Sequence, residues 1–241
     1  MSLAPAIQLH GAYDLNEQRL FGPVDITVPA GQWSCLLGRS GVGKSTLLRV
    51  IADLPCAGDF DGQVTACDGE SVSGRVSFMA QSDLLLPWLS VLDNTVIGAR
   101  LRGERPDMQK AQNLLARVGL GDHMHQRPSA LSGGMRQRAA LARTLMEDRP
   151  IALLDEPFSA LDASTRADMQ ELAAECLMGK TVVLVTHDPA EAVRLAHQII
   201  VLTRDGGRSW PVPKSCPVRD QYAEDTIQCQ IELLAHLRSG T

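Results

Sequence analysis

Two periodicities alternate along the chain. Short runs of strand character ("AIQLH", "VDITV", "WSCLL", "RVSFMA", "IALLD", "TVVLVTH" and "QIIVL") are separated by stretches with helical spacing. "IALL" and "TVVLV" are apolar throughout, the pattern of parallel strands buried on both faces. The early runs alternate more, with turn residues at "VPAGQ" and "DFDGQ". From residue 83 to 148 the strands vanish and helical patterns take over: "SVLDNTVIGARLRG", "DMQKAQNLLARVGL" and "GGMRQRAALARTLMED". The spacing therefore predicts one domain over 1–241. Its α/β core occupies 1–82 and 149–205, with a helical subdomain inserted at 83–148. The Gly/Pro-rich tail, 206–241, ends in an amphipathic stretch where Ile227, Ile231 and Leu234 share one helical face. It is expected to dock on the core as a strand and a helix.

Within the core, "WSCLLGRSGVGKSTLLRVIADL" reads as strand, glycine loop and helix. Gly38, Gly43, Lys44 and Ser45 fill the pattern G-x-x-x-x-G-K-[ST]. Backbone N–H groups of such a loop wrap phosphates, the lysine neutralises β/γ charge, and the hydroxyl can ligate Mg²⁺. The loop residues Arg39, Ser40, Gly41, Val42 and Thr46 belong to the same nucleoside triphosphate site. Asp155, at the end of the apolar run "IALLD", is placed to reach the Mg²⁺ shell. Glu156 follows it and can polarise an attacking water.

A second anion site is predicted about ninety residues later. In "LSGGMRQRAALARTL" a Ser-Gly-Gly run opens a helix, leaving bare N–H groups with the positive end of the helix dipole behind them. A triphosphate on the first loop cannot reach that helix start in its own chain without a large rearrangement. Two copies packed head to tail could each offer it to the other.

Composition narrows the classes. A length of 241 residues suffices for one large α/β domain. The net charge of −5 argues against a nucleic-acid footprint. "MSLAPAIQLHGAYD" has no basic n-region and no apolar run, so no secretory leader is expected. No segment approaches the ~18 consecutive apolar residues of a membrane span. Six scattered cysteines without a C-x-x-C pair read as free thiols of a reducing compartment. His123 and His125 lack a third ligand nearby and read as solvent-facing.

The ordered set of motifs resembles the ABC-type ATPases, from about residue 5 to 205. "LSGGMRQRAALARTL" is similar to that family's signature, with Ser132, Gly133 and Gly134 as the γ-phosphate contacts. Tyr13, 25 residues before Gly38, matches the aromatic that stacks on adenine. Gln81 matches the glutamine that touches Mg²⁺ and the water. Ser159 to Asp162 ("SALD") matches the loop crossing the dimer interface, and His187 in "VTHD" the switch histidine. The resemblance implies a P-loop NTPase fold: a RecA-like core with a small antiparallel β subdomain, interrupted by an α-helical ABC signature subdomain. It implies ATP and Mg²⁺ as cofactors, with Glu156, His187 and Gln81 catalytic and Ser45, Gln81 and Asp155 on the metal. Departures are few: Met135 where many relatives have Gln, Arg39 inside the phosphate loop, and Asp53 in place of a more usual Gly.

The resemblance also implies what the ATPase drives. "LLLPWLSVLDNTVIGARLRGERP" looks like the nitrate/sulfonate/taurine branch of bacterial importers. Within it, "MAQSDLLLPW" and "ARTLMEDRPIALLDEPFSALDA" look closest to subunits for hydroxymethylpyrimidine-type thiamine precursors. The expected assembly is a homodimer on transmembrane permease subunits at the cytoplasmic face of the cell membrane. A solute-binding protein serves it indirectly, and no nucleic acid is expected. Sulfonate, taurine or nitrate import, an export ATPase and a soluble mechanical ATPase are the alternatives.

Overall fold

The computed structural model describes residues 4–239; the ends of the expected 1–241 domain lie outside them. In chain order the strands are β1 (Ile7–Leu15), β2 (Gln18–Val28), β3 (Trp33–Gly38), β4 (Asp59–Ala66), β5 (Val76–Met79), β6 (Ile151–Asp155), β7 (Thr181–Val185), β8 (Gln198–Thr203) and β9 (Gly206–Trp210). The α-helices are α1 (Lys44–Ile51), α2 (Val91–Thr95), α3 (Ile97–Leu101), α4 (Met108–Arg117), α5 (Gly133–Met146), α6 (Ala163–Cys176), α7 (Pro189–Leu195) and α8 (Glu224–Ser239). They group into two compact units.

The first unit contains Met1–Val76, Pro150–Asp155 and Met178–Thr241. Its antiparallel sheet is ordered β2-β1-β4. Asn16 and Glu17, both at positive φ, close the β1–β2 hairpin in two residues, the geometry that matches the right-handed twist of paired strands. Its second sheet runs β6-β7-β3-β8-β9, parallel except for the last pair. Every residue of β6 and β7 is buried, as is every residue of β3 but Gly38. That burial explains why these runs read as continuously apolar: each such side chain removed from water contributes about 1.5–3 kcal/mol.

The tail docks on this unit, but not by the face that the spacing singles out. Leu233 and Thr226 are the buried residues of α8, while Ile227, Ile231 and Leu234 keep 42%, 56% and 36% exposure. The stronger anchor is Arg219. It is buried, and its guanidinium donates to the carbonyls of Val193 and Ala196, at 2.7 and 2.6 Å, and of Pro213 at 3.0 Å. Two of those oxygens lie at the C-terminal end of α7, where the helix leaves carbonyls without intrahelical partners.

The second unit contains Ser77–Arg149 and Glu156–Leu177. Residues 156–177, read from the sequence as core, group here because α6 packs against α5. The buried run Ala139–Ala142 and Leu145 make α5 the centre of this unit, with α2, α4 and α6 around it. Asn94, fully buried, pins the segment before α2: its side chain accepts from the Leu86 N–H at 2.8 Å and donates to the Leu86 and Ser90 carbonyls.

Candidate functional site

In the first unit, the carboxyl ends of three adjacent parallel strands carry chemistry. Such an edge is where open α/β sheets bind ligands. β3 ends in Gly38, β6 in Asp155, and β7 is followed by Thr186 and His187. The chain passes from β3 through Arg39 to Gly43 into α1. A Cβ on Gly38 would lie 2.5 Å from the Leu202 carbonyl oxygen, and one on Gly43 would lie 2.5 Å from the Phe21 ring. Both glycines are therefore required by close approach. The Lys44 ammonium donates to the Gly38 and Arg39 carbonyls at 2.9 and 3.0 Å, so the loop is folded around its own cation. Arg39, Ser40, Gly41 and Ser45 are exposed, Val42 and Gly43 buried, and Thr46 half-buried. A cavity of about 440 Å³ lies beside the loop, between Gly38–Val42 and the β8–β9 turn with the end of α8; Lys44 and Ser45 do not line it.

Tyr13 is buried. Its ring is 2% exposed and stacks on Phe21, centroids 5.6 Å apart, while its hydroxyl accepts the Gly58 N–H at 2.7 Å. Tyr13 shares the parity of Ile7 and Leu9, the inward face of β1, and the register slips on both sides of it. Burial raises the pKa of its phenol from the ordinary value. The ring that sequence assigns to adenine thus props Phe21, which abuts Gly43 of the phosphate loop.

Asp155 is 4% exposed at the end of β6, and Ser45, the second residue of α1, is exposed. A carboxylate and a hydroxyl are hard oxygen donors of the kind that share Mg²⁺ with substrate phosphates. The described residues offer no cluster of three His, Cys, Asp or Glu side chains. His187 is exposed, in a turn set by the Asp188 N–H donating to the Thr186 hydroxyl.

In the second unit, Ser132 caps α5. Its hydroxyl accepts the Met135 N–H at 3.2 Å and its carbonyl the Arg136 N–H. Helix geometry leaves the amides of Gly133 and Gly134 without intrahelical acceptors. A Cβ on Gly133 would meet nothing within 4 Å among the described residues, whereas one on Gly134 would come 3.2 Å from the Ala160 carbonyl oxygen. One glycine faces open space and the other seats the helix on the "SALD" loop. Glu156 adopts φ 49°, the left-handed region that costs a non-glycine residue roughly 1–2 kcal/mol. Gln81 reaches its carboxylate at 3.5 Å.

Sequence reading missed the grip of α5 on both neighbouring loops. Arg136 donates to the Asp83 carboxylate at 3.0 Å, and Arg143 to the carbonyls of Asp83 and Leu84 at 2.7 and 2.8 Å. Burial pulls the Arg143 pKa down from its ordinary value, with Asp83 and Glu147 opposing. The i, i+7 spacing of these arginines is the only signal the sequence carried. Gln137 does the same for the Glu156 loop: its amide donates to the Glu156 carbonyl at 2.9 Å and accepts the Ala160 N–H at 2.8 Å.

Comparison with known proteins follows this geometry. A family model described as "ABC transporter" matches residues 21–159. The chain belongs to the ABC transporter family. It is an ATP-binding subunit of that family and an ATPase. An uncharacterized ABC transporter ATP-binding protein of Haemophilus influenzae is 47% identical over 189 residues, covering 78% of this chain and 77% of its own. An aliphatic sulfonates import ATP-binding protein of Paracoccus denitrificans is 46% identical over 208 residues, covering 85% and 82%. Among solved structures, the ATP-binding cassette MJ0796, dimeric in a post-hydrolysis state with ADP and Pi, matches with TM-score 0.73 and 28% identity, covering 89% of this chain and 99% of that one. The mixed α/β fold is that of an ABC P-loop NTPase domain.

Proposed function

We propose that the chain is the ATPase subunit of an importer and works as a head-to-tail homodimer on membrane permease subunits. The observation that carries the dimer is the second anion site. The start of α5 has free-ended amides and an open face at Gly133, and the cation of its first turn, Arg136, is paired with Asp83. Such a site completes a phosphate pocket whose charge comes from elsewhere, and the similar cassette MJ0796 is dimeric.

In this reading Gly38 to Thr46 wrap the triphosphate, with Lys44 on its β/γ oxygens, and Ser132, Gly133 and Gly134 of the other copy approach the γ-phosphate. Ser45, Asp155 and Gln81 would hold Mg²⁺, which neutralises phosphate charge when bound. Glu156 orients the attacking water and takes its proton as the bond from γ-phosphorus to the ADP oxygen breaks. The products are ADP and phosphate. His187 closes the site on the γ-phosphate. Tyr13 would reach adenine only by leaving Phe21.

No helix among the described residues is long and apolar enough to cross a membrane, so a peripheral place on the permease fits. Leu84 and Trp88, 61% and 66% exposed in the segment pinned by Asn94, supply an apolar patch for it. The named relatives favour an aliphatic sulfonate as cargo. The stretches quoted above favour a hydroxymethylpyrimidine. A solute-binding protein makes that choice, so thermal shift of the one encoded beside this chain, with each ligand class, separates the two.

The test of the motor is Glu156→Gln with ATP and Mg²⁺ in size-exclusion chromatography. The expected outcome is a stable dimer with turnover lowered by roughly 10²–10³. A monomer that hydrolyses ATP at the unaltered rate overturns the scheme.

A further inference from the structure

Gln137 lies one turn inside α5 and is 7% exposed. A glutamine in a helix interior is ordinarily solvated, yet every polar group of this side chain is engaged. Its Nε2 donates to the Glu156 carbonyl at 2.9 Å and to the Ser159 hydroxyl at 3.3 Å, and its Oε1 accepts the Ala160 N–H at 2.8 Å. The Glu156 carbonyl is a hub. It also accepts the Ser159 hydroxyl at 3.0 Å and the Ser159 N–H at 3.4 Å. The residue so held is the one at φ 49°. A non-glycine residue stays in that region only where its surroundings over-determine it, and here α5 supplies part of that fixing through Gln137, beside Ser159. The same helix begins at the Gly133 amide and touches the Ala160 carbonyl through Gly134.

We propose that Gln137 is a positioning residue that ties the carboxylate-bearing loop Glu156–Ala160 to the signature helix. Phosphate arriving at the start of α5 is thereby felt, through Gln137 four residues into the helix, at the backbone of Glu156. In the head-to-tail arrangement that helix start serves one ATP and Glu156 the other. The amide therefore couples the two hydrolytic events. This rests on the assignment of Glu156 made under Proposed function.

The test is steady-state ATP hydrolysis by the full chain carrying Gln137→Met, which keeps side-chain length and removes both polar ends. The expected result is a kcat lowered by roughly 10- to 100-fold, the loss that a misplaced group produces. KM for ATP stays within about two-fold, because no phosphate-loop residue changes, and the Hill coefficient falls towards one. In a Glu156→Gln background, Gln137→Met causes no additional loss in single-turnover hydrolysis, since the group it positions is already gone. A purely structural role would lower both backgrounds equally and raise KM. Ser159→Ala, which removes one donor from the same carbonyl and the weaker of the two Gln137 Nε2 contacts while leaving α5 itself unaltered, shows a smaller loss in the same direction and stands in if Gln137→Met does not fold. Unaltered kcat in Gln137→Met, or equal losses in both backgrounds, overturns the proposal while leaving Glu156 in its role. Full turnover in Glu156→Gln alone overturns that role, and the coupling with it.

Discussion

Gly133 and Gly134 look interchangeable in the sequence, but a Cβ on the first would enter open space and a Cβ on the second would press on the Ala160 carbonyl oxygen at 3.2 Å. Gly133 sits at the first position of α5 with no positive φ. Alanine is compatible there and removes backbone freedom from the unfolded chain, a gain of about 0.4–1 kcal/mol. For a chain of this length that raises Tm by roughly 1–4 °C. The same methyl group stands where the phosphate of the other copy would approach, and displacing one preorganised donor set costs roughly 10²–10³ in turnover. Gly133→Ala is thus expected to be slightly more stable and almost inactive. Circular dichroism melting without nucleotide and steady-state phosphate release with ATP and Mg²⁺ read the two effects separately. A lowered Tm would show that Gly133 serves the fold. Unaltered turnover would show that no phosphate approaches this helix start, and the head-to-tail scheme would fail.

Two further outcomes concern stability. Arg219→Met leaves the buried carbonyls of Val193 and Ala196, and the half-buried one of Pro213, without their shared donor. At roughly 1–3 kcal/mol for each unsatisfied group, less than additively, the loss should come to about 3–5 kcal/mol. Thermal melting checks it, and a change in Tm below about 2 °C contradicts the anchoring role. Asp93 has its pKa lowered, first by the Ser90 hydroxyl and then by Arg100. A carboxylate depressed in the folded state stabilises above its unfolded value of about 3.9 and loses that contribution as pH falls through the folded value. The Tm difference between the unaltered chain and Asp93→Asn is therefore full near neutrality and vanishes in acid; a difference that persists below both values refutes it.

The parallel strands were legible because burial on both faces leaves only apolar positions in β6 and β7, and the phosphate loop because glycine spacing is forced by close approach at Gly38 and Gly43. Tyr13 was legible as an aromatic at the expected distance, but its parity with Ile7 and Leu9 already placed it inward. In the tail, the stripe Ile227, Ile231 and Leu234 was visible, while the buried contact is Leu233, one position off that stripe. The α6 region was not separated from the core, since its buried set (Met169, Gln170, Leu172 and Ala173) mixes polar and small residues without a clean stripe. Arg219, Gln137 and Arg143 act through carbonyls of other segments, and Arg136 through the Asp83 carboxylate. Local pattern cannot show which backbone oxygens tertiary structure will leave in need of a donor.

Lys44 gives the phosphate loop a further property. Its ammonium is held by two neutral carbonyl oxygens, those of Gly38 and Arg39, which are weaker acceptors than a charged phosphate oxygen. In the reading proposed above, a phosphate oxygen would be a stronger partner for that ammonium than either carbonyl. Bound in that way, the loop would select for the charge of the incoming anion, and discrimination among bases would have to come from elsewhere in the molecule.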